Sequence, residues 1–416
     1  MVGNPAANLK VRCVIVGGGP AGMLLGLQLA RGGVDVLVLE KHADFLRDFR
    51  GDTVHPSTLE VLDSLGLMQR FNALPQHRES ELRAQFADCT LAFGDFSGLR
   101  PFPYIALVPQ WDLLDLLADE ARRCANFALR MRTEAVALVH EGDDPAARVI
   151  GVRARDAEGM PLTIHADLVI AADGRNSILR KASGLALRDL GAPMDVLWFR
   201  VPRAAGDPDA THGVAGRGQF LAMIHRGDYW QAGMVVAKGR AATLMAGPVA
   251  AFRELLATVD PLLAARAQAI QPGDISALTV RVDRLQRWHR PGLLLIGDAA
   301  HAMSPIGGVG INLAIQDAVA TANLLGPALL GNEPIGDAQL ATVQRRREWP
   351  TRAIQFLQTT IQRRVIAPAL AAAGGPPNAP AFLRWLLRFH AVRAIPAHVV
   401  GLGFRRDRAR FGARGK

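Results

Sequence analysis

One stretch, VIVGGGPAGMLLGLQLARGGVDVLVLEK from Val14 to Lys41, constrains the fold more than any other. Val11 to Val16 is a short β-branched run, and Pro20 to Arg31 changes to helical spacing with proline in its first turn. Gly32 and Gly33 then close the helix before VDVLVLE resumes an extended pattern. Strand, glycine turn, helix and strand make one βαβ unit, which predicts a parallel sheet in an α/β fold. An apolar run preceded by Lys10 and Arg12 also has the outline of a secretory signal peptide. That reading requires a cleavage site after the apolar run, whereas here GGGPAG interrupts the run and a second strand follows without pause.

Within the unit, Gly17, Gly19 and Gly22 form GxGxxG, followed by Gly26. The three glycines serve different ends. Gly17 permits the tight turn, Gly19 allows close backbone approach to a pyrophosphate, and Gly22 lets the helix pack on the strand. Pro20 and Ala21 open the helix whose positive end would face the phosphates. Glu40 ends the second strand 18 residues after Gly22, beside Lys41, where a carboxylate accepts the hydroxyls of an adenosine ribose. NAD and FAD fit this unit equally.

Two later segments repeat the plan of a strand ending in a small polar turn. Leu168 to Ala172 runs into Asp173 and Gly174, and Leu293 to Ile296 runs into Gly297 and Asp298, then a glycine loop and a helix from about Ile311. In an open α/β sheet such strand ends converge on one crevice. Three of them imply a ligand longer than the usual footprint of NAD.

The combination of GxGxxG with a distal Glu, the DG strand end, and GD followed by PIGGVGINLAIQDA resembles the class A flavoprotein monooxygenases, the family of para-hydroxybenzoate hydroxylase. The resemblance spans the dinucleotide-binding parts, roughly two thirds of the chain. It implies an FAD-binding Rossmann-like domain with an inserted β-sheet substrate domain and C-terminal helices. It assigns the ribityl contact to Asp298 and places Asp173 and Gly174 near the pyrophosphate, with a part in handling NAD(P)H. It also matches family contacts to Arg50, to Gln110 and, for the adenine, to a backbone group near Ala135. Asp173 and Asp298 have a second reading as helix caps, Arg50 as a surface arginine, and Gln110 as polar punctuation before a helix. No second GxGxxG lies between a strand and a helix, so the nicotinamide cofactor would bind transiently.

The loop Pro305 to Asn312 would pass the isoalloxazine ring, with Gly307, Gly308 and Gly310 permitting close backbone approach. The N–H groups near Ile311 and Asn312 would face the pyrimidine side, where a helix N-terminus favours an anion by about 0.3–1 kcal/mol. The resemblance implies FAD as bound cofactor, NADH or NADPH and O2 as co-substrates, and hydroxylation of an aromatic or polycyclic substrate through a flavin C4a-hydroperoxide. A flavin-dependent reductase or oxidase of a quinone or isoprenoid, or an idle flavin-binding protein that sequesters a small molecule, are the alternatives. The sequence contains no GxSxG elbow and no HExxH, so neither a protein nucleophile nor a metal is expected. His301 reads as a hydrogen bonder that orders its loop, with an acid or base role as the alternative, and Pro305 as part of the wall where oxygen reacts.

With 416 residues the chain exceeds one ordinary core. Expected are a discontinuous FAD domain over 1–73, 107–190 and 278–350, a substrate domain over 74–106 and 191–277, and a helical segment over 351–416. The hairpin QFLAMIHRGDYWQAGMVV, turning at Arg226, Gly227 and Asp228, places Leu221, Met223 and His225 on one face and Phe220, Ala222 and Ile224 on the other. Tyr104, His225 and Trp230 are the substrate-site candidates, and low polarity predicts a largely apolar pocket.

The net charge of +10 comes almost entirely from arginine, since only five of the 48 basic residues are lysines. A coding bias toward G and C produces such a balance, as does a functional basic surface. Basic stretches interleaved with aromatics are missing, so no nucleic acid partner is expected. Cys13, Cys89 and Cys124 form no CxxC pair, which fits a reducing, cytoplasmic setting. No membrane span is expected from the apolar runs. The arginine-rich tail reads as a helix on the FAD domain with a solvated basic face, with peripheral contact to an anionic membrane as the alternative. The chain would work as a monomer or homodimer.

Overall fold

The computed structural model describes residues 7–46, 53–86, 88–208, 211–216, 218–259, 263–331, 334–371 and 378–413. Strand β1 (Ala7–Val16) runs into helix α1 (Pro20–Arg31), which returns to β2 (Val36–Leu39). Helix α2 (Gln110–Ala121), β3 (Phe127–Arg130) and the long β4 (Pro161–Ala171) follow. Strands β5 (Met194–Pro202), β6 (Gln219–His225) and β7 (Tyr229–Ala237) build a second sheet. The chain then re-enters the first sheet as β8 (Leu293–Leu295) and ends in helices α3 (Val309–Leu330), α4 (Asp337–Ile361) and α5 (His390–Gly401) with shorter helical pieces between them.

The first sheet has eight strands, and its parallel core runs β8, β4, β1, β2, β3. Both faces of these strands are covered, so their residues are apolar in succession rather than alternating, and Cys13, Val14, Ile15, Leu168, Val169 and Ile170 are all fully buried. Burial raises the Cys13 thiol to about 12, so it packs as a small apolar side chain. Parallel register aligns Val16 with both Leu39 and Ala171, and Ala171 with Leu295. Three strand ends therefore reach the same level, and the turns that follow them emerge side by side.

The second sheet has seven strands and joins residues 81–95 to residues 194–278. Alternation along its strands gives it two different faces. One face, with Leu197, Phe199, Leu221, Met223, Trp230 and Met234, is covered by Phe252 and Leu256 of the helix Val249–Val259. The other, with Val196, Trp198, Ile224, Val235 and Leu278, packs on Leu107 and on Ala397 and Val400 of α5.

Ile306–Leu330 is long and apolar enough to cross a membrane, the one such helix among the described residues, although none was expected from the sequence. It is mostly buried here and packs between α1 and α4 as a core helix. The tail returns to the first domain: Phe411 packs against Gly32 and Gly326, where any Cβ would collide with its ring, and Arg406 pairs with Glu60 at 2.9 Å.

Candidate functional site

The turn after β1 shows why its three glycines are needed. Gly17 has φ +109° and its N–H donates to Leu39 O at 2.8 Å, while a Cβ there would strike the Ala172 carbonyl. A Cβ on Gly22 would lie far inside contact distance of the Gly17 carbonyl oxygen. At Gly19 a Cβ would meet nothing within 4 Å. Gly17 and Gly22 thus serve the turn itself, and Gly19 leaves open space in front of the helix. Gly19 caps α1 without a side-chain acceptor, and since Pro20 has no N–H, the first N–H groups of α1 open to a ligand are those of Ala21 and Gly22.

Two adjoining cavities follow the strand ends. The larger, about 520 Å³, is lined by Gly17, Glu40, Lys41, Ala135, Asp173 and neighbours. Glu40 is buried and held there: its Oε2 accepts from Gly18 N and its Oε1 from His42 N, each at 2.9 Å. The smaller, about 220 Å³, is lined by Pro20, Ala21, Gly310 and Ile311 and by the apolar side chains of Trp198, Leu278, Met303 and Pro305. Six residues line both: Gly19, Gln110, Ala172, Gly174, Arg175 and Asp298. They form a waist between the two cavities.

At this waist Arg175 Nη2 donates to Asp298 Oδ2 at 3.0 Å. Asp173, half-buried nearby, accepts from Ile178 N at 2.9 Å and Leu179 N at 3.4 Å, so in this structure it caps the short helix Ile178–Ala182. Desolvation holds its carboxyl above the usual range despite those bonds. Its Oδ1 has no partner among the described residues.

The glycine loop reaches the smaller cavity from the other side. Gly307 and Gly308 have φ +76° and +62°, and the Gly308 carbonyl accepts from Thr53 Oγ1 at 3.0 Å. Helix α3 begins at Val309, two residues before the predicted start, which moves Asn312 into the first closed turn. The Asn312 side chain faces the fold instead: its Oδ1 accepts from His55 N at 3.0 Å and Thr58 Oγ1 at 2.7 Å. Asn312 lines neither cavity, while Gly310 and Ile311 line the smaller one.

His55 in turn joins this loop to the C-terminal helix, its Nδ1 lying 2.7 Å from Val400 O. Complete burial lowers its pKa to about 4, so the ring is neutral at pH 7 and donates to that carbonyl. A histidine whose folded pKa lies below its unfolded value of about 6.5 contributes its stability in full above that pH and loses it as pH falls toward 4. Between pH 7 and pH 5 the wild type is expected to lose about 2 kcal/mol more than His55→Gln, which keeps a donor for Val400 but does not titrate. Urea unfolding at the two pH values measures this, and parallel losses would refute it.

The remaining candidates separate sharply. His301 is fully buried with Nε2 2.6 Å from Asp317 Oδ2, and it lines neither cavity; it is a loop-ordering group, and the acid–base alternative is corrected. His225 and Trp230 sit on the sheet face turned away from the cavities, with their rings 5.6 Å apart. Trp230 donates to Asp207 Oδ2 at 3.0 Å. Their selection as substrate residues is corrected because a strand presents alternate residues to opposite sides, and the side that looks inward carries Trp198. Tyr104 lies under Arg78, 4.6 Å from guanidinium to ring centroid, outside both linings. Arg50 falls outside the described residues. Trp198, Leu278, Met303 and Arg175 were not singled out from the sequence; only Arg175 carried a signal, as the residue directly after the DG pair. Among the described residues no group of three or more His, Cys, Asp or Glu side chains is placed to hold a metal ion.

An elongated cleft with a helix N-terminus at its waist, a buried carboxylate at one end and apolar walls at the other fits a dinucleotide whose second half is a flat ring. Comparisons agree with that fit. Residues 10–356 match the family model described as FAD binding domain. The chain is 33% identical over 390 residues to 6-methylpretetramide 4-monooxygenase of Streptomyces rimosus, covering 90% of this chain and 89% of that protein. It is 28% identical to an uncharacterized aromatic compound monooxygenase of Bacillus subtilis (strain 168), covering 78% of this chain and 63% of the relative. Among solved structures, the anhydrotetracycline hydroxylase from Streptomyces rimosus superposes with a TM-score of 0.75 at 25% identity, covering 94% of this chain and 76% of that one.

Proposed function

Because the chain belongs to the FAD binding domain family, as an FAD-dependent oxidoreductase of the class A monooxygenase type, we propose that it hydroxylates an aromatic, ring-fused compound at the expense of NADH or NADPH and O2. The observation that carries this reading is the smaller cavity. Trp198, Leu278, Met303 and Pro305 give it apolar walls, and it opens through the waist into the space shaped for a dinucleotide. A flat, largely apolar substrate matches such walls, because burying its rings is favourable and few polar groups would be stranded.

Bound FAD would supply the redox chemistry, accepting hydride from the nicotinamide and activating oxygen. The residues of this chain do the rest. Glu40, with its carboxylate already oriented by two backbone N–H groups, would receive the ribose hydroxyls, and the opening turn of α1 would receive the phosphates. Asp298 would hold the ribityl chain. The loop Pro305–Gly308 would bring backbone against the ring, since two consecutive positive-φ glycines remove the side chains that would block it. Trp198 and Leu278 would exclude water from the face where the substrate lies. Among the described lining residues of the smaller cavity, Arg175 and Asp298 are the only ionisable ones, and they pair with each other. The site therefore orients and dries its reactants rather than serving as a proton relay.

The test is oxidation of NADH and NADPH by the purified yellow protein against a panel of phenols, naphthols and polycyclic quinones under ¹⁸O₂, with mass detection. Stimulated oxidation with a product carrying one labelled oxygen atom is the expected result. Oxidation that yields only peroxide, or a reduced product without oxygen, would replace this reading with a flavin-dependent oxidase or reductase.

A further inference from the structure

We propose that Arg175 is a cofactor-binding residue, the counter-charge that lets the Asp298 carboxylate and a pyrophosphate share the waist of the cleft; this rests on the FAD reading above. The two side chains come from turns at the ends of neighbouring strands, β4 and β8, and meet across the waist at 3.0 Å. They are 20% and 26% exposed, open to the cleft yet partly withdrawn from water. The backbone beneath Arg175 is pinned: its carbonyl accepts from Arg180, whose other guanidinium nitrogen bonds Asp283 at 3.3 Å. Gly174, with φ +80°, sets the direction in which the arginine leaves the strand.

Charge makes the arrangement necessary. A pyrophosphate at the N-terminus of α1 brings two negative charges close to a carboxylate, and like charges in a partly desolvated cleft repel strongly. Of the six residues shared by the two cavities, Arg175 is the only cation, and Lys41 lines the larger cavity alone. One guanidinium nitrogen is engaged by Asp298, while Nη1 is buried without a partner among the described residues. A guanidinium has five donors in a planar fork and can serve a carboxylate and a phosphate together, which an ammonium group does less well.

The experiment titrates FAD into flavin-free protein, followed by quenching of flavin fluorescence, for the wild type, Arg175→Gln, Asp298→Asn and the double variant. Asp298→Asn keeps an acceptor oxygen but removes the charge. Arg175→Gln is expected to raise the Kd for FAD about tenfold or more at low salt, with a smaller penalty at high salt because screening weakens the repulsion. In the Asp298→Asn background the same substitution is expected to cost much less, and Arg175→Lys, which keeps the charge but not the fork, should recover part of the affinity. Equal penalties in both backgrounds would assign the arginine to the phosphates alone and overturn the shared-charge arrangement. Unchanged affinity in Arg175→Gln would overturn the role altogether, as would a loss of affinity that Arg175→Lys shares in full and that tracks a lowered unfolding midpoint. A wild-type protein that takes up no FAD would instead overturn the cofactor reading itself.

Discussion

Asp317→Ala is expected to destabilise the fold by about 3–5 kcal/mol, read as a lowered urea midpoint, because it takes from a buried guanidinium its one fully buried carboxylate partner and leaves only the Arg405 carbonyl and Asp407 at 3.9 Å. Asp317 sits on α3 with no exposure, and Arg347 on α4 is almost as deeply buried. Arg347 Nε donates to Asp317 Oδ1 at 3.0 Å, and the other carboxylate oxygen accepts from Gly297 N at 3.0 Å and meets His301 Nε2 at 2.6 Å. Burial alone would raise the Asp317 carboxyl, but His301 and Arg347 outweigh it and hold the group below its ordinary range. A carboxylate depressed in this way contributes its stability above the unfolded value of about 3.9 and loses it only as pH falls through the folded one, so the deficit of the variant is present at neutral pH. Replacing both charges, as in Asp317→Leu with Arg347→Met, should recover much of the loss, since neither ion is then left alone. A single variant within about 1 kcal/mol of wild type would show that water reaches this cluster and replaces the lost partner. The same cluster holds Gly297, the neighbour of Asp298, so the surviving folded fraction of Asp317→Ala should also bind FAD less tightly.

The second large effect is expected at Gly22. Gly22→Ala should raise the Kd for FAD about a hundredfold or more and lower the unfolding midpoint of the flavin-free protein. The obstructing atom is the Gly17 carbonyl oxygen, which is backbone and cannot swing aside, so the turn that aims the helix must itself open. Gly19→Ala supplies the contrast. Its Cβ meets no protein atom within 4 Å, so the flavin-free fold should keep its midpoint while affinity falls, because the methyl group takes space meant for the ligand. Equal unfolding midpoints for Gly22→Ala and wild type would refute the packing role.

Much of the cofactor half was legible in the sequence because its constraints are local. A tight turn that needs φ +109° at Gly17, a helix that starts with proline and a strand that ends in Glu40 are all written within about thirty residues. The later strand ends, Asp173–Gly174 and Gly297–Asp298, carry the same grammar, and parallel register then brings them level. Gln110, Ala135 and Lys41 line the cleft, and Arg50 falls outside the described residues.

The substrate half was not legible in the same way. Alternation in the hairpin separated its two faces correctly into Leu221, Met223, His225 and Phe220, Ala222, Ile224, but nothing in the hairpin says which face a neighbouring domain will cover. Helices over residues 240–259, which follow the hairpin, fold back over the His225 and Trp230 face, and this packing turns Trp198 inward. The same holds for Asp317 and Arg347, thirty residues apart on different helices, and for Arg175 and Asp298, separated by 123 positions. By itself the sequence determined the βαβ unit, its suitability for a dinucleotide and the positions of its turns, since glycine conformation and residue period act over a few residues. Only the tertiary structure decided which sheet face looks on the cleft and which charges neutralise one another, because burial and ion pairing depend on what packs against a residue rather than on what adjoins it in the chain.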